Sequence, residues 1–124
     1  VGQYQSSVSD LYFPYGRPQE NGYKTDTRWV IFTNTNGQGI KIAAPNYFSF
    51  STHHQYNDDF DSGDKKMQRH TTDIKKRDLV NINIDNKQMG VGGDNSWGAM
   101  PHKEYRIQPK SMSFVYIISK ISNE

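Results

Sequence analysis

The sequence predicts an all-β chain, an antiparallel β-sandwich with at most one short helix, and three observations predict it. Aromatic residues make up 13% of 124 residues, with eight Tyr and six Phe, in a chain whose mean hydropathy is −0.91. Disorder strips a chain of aromatics, so these argue for a packed structure. Ala and Leu are scarce beside Asn, Asp, Thr and Gly, which excludes a coiled coil or helical bundle. Apolar and polar residues alternate in short segments bounded by turn residues, the pattern of antiparallel strands.

Taken in order, Arg28 to Thr33 reads as a strand with Trp29 and Ile31 on one face and Val30 and Phe32 on the other. Asn34-Thr35-Asn36-Gly37 follows, and Asn-Gly is the strongest short hairpin turn because both residues accept positive φ. Gly39 to Ala43 returns as the partner strand carrying Ile40 and Ile42. Tyr47 to Thr52 places Phe48 and Phe50 on one face. Leu79 to Asp85 sets Val80, Ile82 and Ile84 against Asn81, Asn83 and Asp85. Ser111 to Lys120 is apolar on both faces, which predicts a central strand. Asp58 to Gln68, acidic and then basic with Gly63 inside, is the one candidate helix, ending near Lys76. Length allows one folding unit, and Val1-Gly2-Gln3-Tyr4 reads as the interior of something longer.

Charge and composition exclude several classes. Fifteen Lys and Arg against thirteen acids are interspersed along the chain, whereas a nucleic-acid surface is more basic and more clustered. No apolar run approaches the roughly 18 residues of a membrane span. Without Cys there are no disulfides or thiolate sites, and the compartment stays open between cytoplasm and periplasm.

No catalytic set stands out. Asp58, Asp59, Asp61 and Asp64 lie in a polar run with little apolar neighbourhood to raise a carboxyl pKa, so a solvated stretch is the favoured reading. The run is not a calcium loop: Gly63 falls at the fifth position from Asp59, and His70 stands where a bidentate Glu is needed. His53 and His54 are adjacent and on a strand point to opposite faces, so they cannot share a metal. His70 and His102 have no ligand partner at metal spacing and read as structural or exposed. Gly90-Val91-Gly92-Gly93 lacks the dinucleotide spacing and any following Lys.

One segment is harder to explain as scaffold. Trp97 ends a glycine loop directly after Asp94, Asn95 and Ser96 and before Gly98. A loop Trp is either a plug that buries its face on the sheet or a presented platform. An indole face stacks on the C–H face of a sugar ring, with Asp94, Asn95 and Ser96 supporting the loop or receiving hydroxyls. Tyr12, Tyr15, Trp29 and Tyr105 form a second aromatic group or belong to the core.

At this loop a family resemblance enters. Gln88-Met89-Gly90-Val91-Gly92-Gly93-Asp94-Asn95-Ser96-Trp97-Gly98 closely resembles the C-terminal signature of the large β-galactosidases of glycoside hydrolase family 2. Pro18-Gln19-Glu20-Asn21-Gly22 followed by Thr27-Arg28-Trp29 resembles a second block of the same domain. Asp10-Leu11-Tyr12-Phe13-Pro14-Tyr15 resembles its lead-in, and Tyr105-Arg106-Ile107 to Ile118 the closing strands.

The resemblance implies a retaining glycosidase with a central TIM barrel bearing both catalytic glutamates. It also implies flanking sandwiches and a terminal β supersandwich of the galactose-mutarotase-like type. Residues 1–124 resemble the second part of that last domain, a single partial domain whose opening strands precede Val1. By the same resemblance the chain carries no catalytic residue and no cofactor of its own, the Mg and Na of the family lying in other domains. Trp97 stacks on the aglycone or acceptor sugar, while Glu20 and Arg28 hold structural hydrogen bonds. The implied partners are the remaining domains of an oligomeric parent and a galactoside or glucose-type sugar, with no nucleic acid and no membrane. A stand-alone carbohydrate-binding module and a purely structural sandwich are the alternatives.

Overall fold

The computed structural model describes residues 1–14, 21–61, 63–65, 69–90, 92–95 and 97–122. It is all-β with short helical turns. Its elements are α1 (Val8–Leu11), β1 (Lys24–Thr33), β2 (Gly39–His53), α2 (Asn57–Phe60), β3 (Asn81–Asp85) and β4 (Ile117–Ile121). Turns of 3-10 helix lie at Gly63–Lys65, Thr71–Asp73 and Lys103–Tyr105. The four strands form one sheet, with β1 and β3 beside β2 and β4 also paired to β2. Among the described residues no helix is long and apolar enough to cross a membrane. The chain divides into two compact units, Val1–Thr25 with Phe50–Ile84, and Asp26–Ser49 with Asp85–Glu124.

In the second unit, β1 and the start of β2 form the expected hairpin, but the turn differs from the sequence reading. Of the Asn36-Gly37 pair only Gly37 has positive φ, at 76°. The Gly37 N–H bonds the Asn34 carbonyl at 3.0 Å, and the Asn34 N–H bonds the Gln38 carbonyl at 2.9 Å. This is a type I turn completed by a left-handed glycine, a three-residue loop in place of the two-residue mirror-image turn. Asn34 decides the outcome: its Oδ1 accepts from the N–H groups of Asn36 (2.9 Å) and Gln38 (3.0 Å), which a shorter turn would not present. Behind the hairpin, Arg28 Nη2 donates to the Tyr47 hydroxyl at 3.0 Å, with its guanidinium 5.4 Å from the Tyr47 ring centre. The structural hydrogen bond expected of Arg28 thus has a partner; Glu20 lies outside the described residues.

The two strands expected at 39–43 and 47–52 are one continuous strand, β2. Pro45 lies past Ala43, the last residue paired with β4, so its missing N–H costs that pairing nothing. The strand expected over 111–120 shrinks to β4 and is not central. It runs antiparallel to one stretch of β2, from Gly39↔Ile121 to Ala43↔Ile117, while Val115, Tyr116, Ile117 and Ile118 remain exposed. Two apolar faces report that a strand is to be covered, without reporting by which segment.

The end of β2 is buried on both faces, Phe48 to His53 without a break. Ser49 and Ser51, opposite Phe48 and Phe50, are buried as well. Side-chain amides meet Ser51: Asn83 Nδ2 donates to Ser51 Oγ (3.1 Å), and bonds of 3.3–3.4 Å link Asn57 with Asn81 and Asn83. The polar side of β3 is therefore part of the packing. Asn21, buried, clasps Phe13 at two points, its Oδ1 accepting from the Phe13 N–H (2.8 Å) and its Nδ2 donating to the Phe13 carbonyl (2.7 Å). Gly22 follows with φ 64°, and a methyl group there would stand 2.4 Å from the Leu11 carbonyl oxygen. The Asn21-Gly22 part of the second motif block is thus a backbone clasp; Pro18, Gln19 and Glu20 lie outside the described residues.

Among the described residues, the helix expected from Asp58 toward Lys76 is a single α turn, α2, followed by two 3-10 turns; residues 66–68 of that expectation lie outside the described residues. Asp59 decides where it starts, because its Oδ2 accepts from the Tyr56 N–H at 2.8 Å. The same carboxylate takes a two-point bond from Arg77, at 2.7 and 2.6 Å. Arg69 Nη1 bonds the carbonyls of Asp58 (2.7 Å) and Asp59 (2.6 Å). The acidic run is tied to basic residues further along, which breaks the periodic helix that composition suggested.

His53 is 1% exposed and forms a three-ring cluster with Phe60, 5.5 Å away, and Tyr12, 6.5 Å away. Among the described residues its Nε2 meets no hydrogen-bond partner. Desolvation holds the imidazole pKa below the ordinary histidine value, opposed by a bond to the Asn21 backbone. The unfolded chain, titrating near the usual 6.5, therefore binds a proton before the folded chain does. Stability from neutral His53 is complete above about pH 6.5 and is lost as pH falls toward the lower folded value. His53→Phe is expected to flatten that acid slope. Urea midpoints at about pH 7.5 and about pH 5.5 check this, and equal slopes in wild type and variant would refute it.

Candidate functional site

The glycine loop is built on the second unit and closed at its base. The Gly90 N–H bonds the Tyr105 carbonyl at 2.8 Å, and a methyl group on Gly90 would press on Tyr105 Cβ at 2.8 Å. A methyl group on Gly93 would stand 2.5 Å from the Ala99 carbonyl oxygen. Both glycines are there for close approach of the two loop limbs. Gly92 (φ 79°) and Gly98 (φ 95°) have open space around them and supply the left-handed turns on either side of Trp97.

Trp97 is 92% exposed at the loop tip. Burial as a plug is therefore not its arrangement in this chain. The Asn95 Oδ1 accepts from the Trp97 N–H at 2.8 Å, a local turn that fixes the backbone beneath the indole. Asp94 Oδ1 accepts from His102 Nε2 at 2.8 Å. Ser96 lies outside the described residues. Of the four residues read from sequence, Asn95 and Asp94 support the loop by different bonds, and Trp97 projects from it.

Beside this tip, an open cavity of about 350 Å³ is lined by Gly90, Gly92, Gly93, Asp94, His102 and Tyr105, among others. Sequence reasoning read His102 as structural or exposed and named no partner for it, since Asp94 lies eight residues away in an irregular loop. A histidine inside a segment otherwise read as glycine loop was the available signal. Tyr105 was placed in the aromatic group or core, and it stays exposed at the loop base.

Among the described residues, the two carboxyl groups with a resolved shift are both held low. Arg77 first of all holds the Asp59 carboxyl below the usual carboxylate range, and the Ser7 hydroxyl does the same for Asp10. A general acid needs the opposite shift. His54 is occupied by the backbone, its Nδ1 meeting the Leu79 carbonyl at 2.6 Å. Among the described residues no group of three or more His, Asp or Glu side chains is placed to hold a metal ion.

A family model described as "Beta galactosidase small chain" matches residues 1–118. The chain belongs to this family. It is 30% identical over 113 residues to a beta-galactosidase of Pseudoalteromonas haloplanktis, an alignment covering 91% of this chain and 10% of that protein. Similarity to a beta-galactosidase of Priestia megaterium is 35% over 112 residues, 84% of this chain and 10% of the relative. A Streptococcus thermophilus beta-galactosidase is 34% identical over 108 residues, 86% and 10% of the two chains. The chain spans about a tenth of the length of these relatives.

Proposed function

We propose that residues 1–124 are part of the terminal β-sandwich, a galactose-mutarotase-like supersandwich, of a retaining glycoside hydrolase family 2 β-galactosidase. The chain supplies scaffold and presents Trp97 to the aglycone or acceptor sugar, such as the glucose of lactose. The observation that carries this reading is the 92% exposed indole on a loop closed beneath it by the Gly90, Asn95 and Asp94 bonds. A flat apolar face held out among polar groups is what a sugar ring requires.

Hydrolysis with retention needs two carboxyl groups roughly 5–5.5 Å apart across the scissile bond. We assign both to the rest of the parent, because the stretch this chain resembles is the terminal domain, and the family resemblance puts the catalytic glutamates in a separate TIM barrel. We place the Mg and Na that the family resemblance implies in other domains of the parent. The exposed faces of Trp29, Ile31, Ile117 and Ile118 fit a chain whose apolar surface other domains of an oligomeric parent finish covering. A free-standing carbohydrate-binding module would use the same exposed Trp97, but a match to about a tenth of each long relative favours the parent enzyme.

The full-length protein carrying this chain is expected to hydrolyse a chromogenic β-galactoside, and the 124-residue chain alone to show none of that turnover. Activity that co-purifies with the isolated chain and survives Trp97→Ala would overturn the reading, since it demands a catalytic pair within these residues.

A further inference from the structure

We propose that His102 is the positioning residue for Trp97: its bond to Asp94 fastens the loop tip to the loop base and fixes the direction of the indole. The proposal rests on Trp97 being the sugar platform and adds how that platform is held.

The argument is one of connectivity. Asp94 precedes Trp97 by three residues and His102 follows it by five, so their 2.8 Å bond closes the backbone between them into a ring with Trp97 inside. The two ends of this bond are unequally anchored. His102 belongs to the base: its carbonyl accepts from the Tyr105 N–H at 2.9 Å, and the Tyr105 carbonyl in turn accepts from the Gly90 N–H at 2.8 Å. The Arg106 guanidinium bonds the neighbouring Pro101 carbonyl and stiffens the same limb. Asp94 belongs to the tip, between the left-handed Gly92 and Gly98, where the chain makes its two turns around Trp97.

The Asn95 bond to the Trp97 N–H ties the tip only to itself. Among the described residues, the Asp94–His102 pair is the one side-chain hydrogen bond joining tip to base. Without it the segment around Trp97 becomes a longer open loop, and ordering that loop against a sugar carries an entropy cost that the clamp has already met.

Both side chains are largely exposed beside the cavity, so truncating them leaves no hole in a core. Folding should survive His102→Ala and Asp94→Ala, and His102→Gln keeps an N–H donor near the position of Nε2.

The test uses the full-length protein. Hydrogen exchange in a peptide spanning residues 93–101 is expected to quicken about two- to fivefold in His102→Ala and in Asp94→Ala, the range for losing an exposed ion pair. The double variant should be no faster than either, and His102→Gln should restore most of the protection. Glucose inhibition should weaken by a similar factor in both alanine variants, and His102→Ala should add nothing in a Trp97→Ala background. Unchanged exchange in His102→Ala overturns the clamp. So does a loosened loop with unmoved glucose inhibition where Trp97→Ala does weaken it. If Trp97→Ala leaves glucose inhibition unmoved, the sugar platform itself falls, and the exchange result alone then upholds or overturns the clamp.

Discussion

Trp97→Ala in the full-length protein is expected to weaken glucose binding by about 1–3 kcal/mol, the range for removing an aromatic anchor, or roughly 5- to 150-fold. The loss should be selective. Galactosyl transfer from an activated aryl galactoside should change less than lactose turnover, because an indole touching the acceptor half penalises the steps that use that half. Melting temperature should move little, since the side chain is 92% exposed and its removal empties no cavity. Glucose inhibition and thermal unfolding measured on wild type and variant check both parts. Unchanged glucose affinity beside a collapsed melting point would mean that Trp97 holds the fold in the parent and binds no acceptor.

Phe48→Ala is expected to be the most damaging single truncation in the chain itself. Phe48 is 1% exposed, is among the largest fully buried side chains, and opens the stretch of β2 covered on both faces. Removing a buried Phe costs about 3–5 kcal/mol in lost transfer energy and cavity. That is a large share of the roughly 5–15 kcal/mol that holds a domain together. Trp29→Ala, at a position 42% exposed, serves as the comparison and should cost clearly less. Urea unfolding followed by far-UV signal decides it, read from the midpoint at constant m. A Phe48→Ala cost no larger than that of Trp29→Ala would remove the end of β2 from the core.

Much of this was legible before any coordinates. Alternation located the strands, because a period of two survives wherever one face of a sheet is covered. The Asn-Gly pair located the hairpin. The Trp97 segment stood out because a large aromatic among glycines and short polar residues is costly unless it is used. The acidic run was read as a solvated stretch; Asp59 is instead half-buried and bonded to Arg77, a partner eighteen residues away that no local pattern pairs with it.

What the sequence by itself determined, then, was strand content, hairpin position and the one unusual loop, all properties of residues close along the chain. Tertiary structure alone decided the rest. It joined two predicted strands through Pro45 into β2, and it placed β4 at an edge, because pairing partners lie some eighty residues apart. It turned the polar faces of β2 and β3 inward, since Ser51, Asn57 and Asn83 satisfy one another only when folded together. It left His53 buried, its Nε2 without a partner among the described residues, and gave His102 a carboxylate eight residues away. In each case the deciding interaction joins residues that no local pattern pairs, and only their meeting in space settles which atoms lose water and which find a partner.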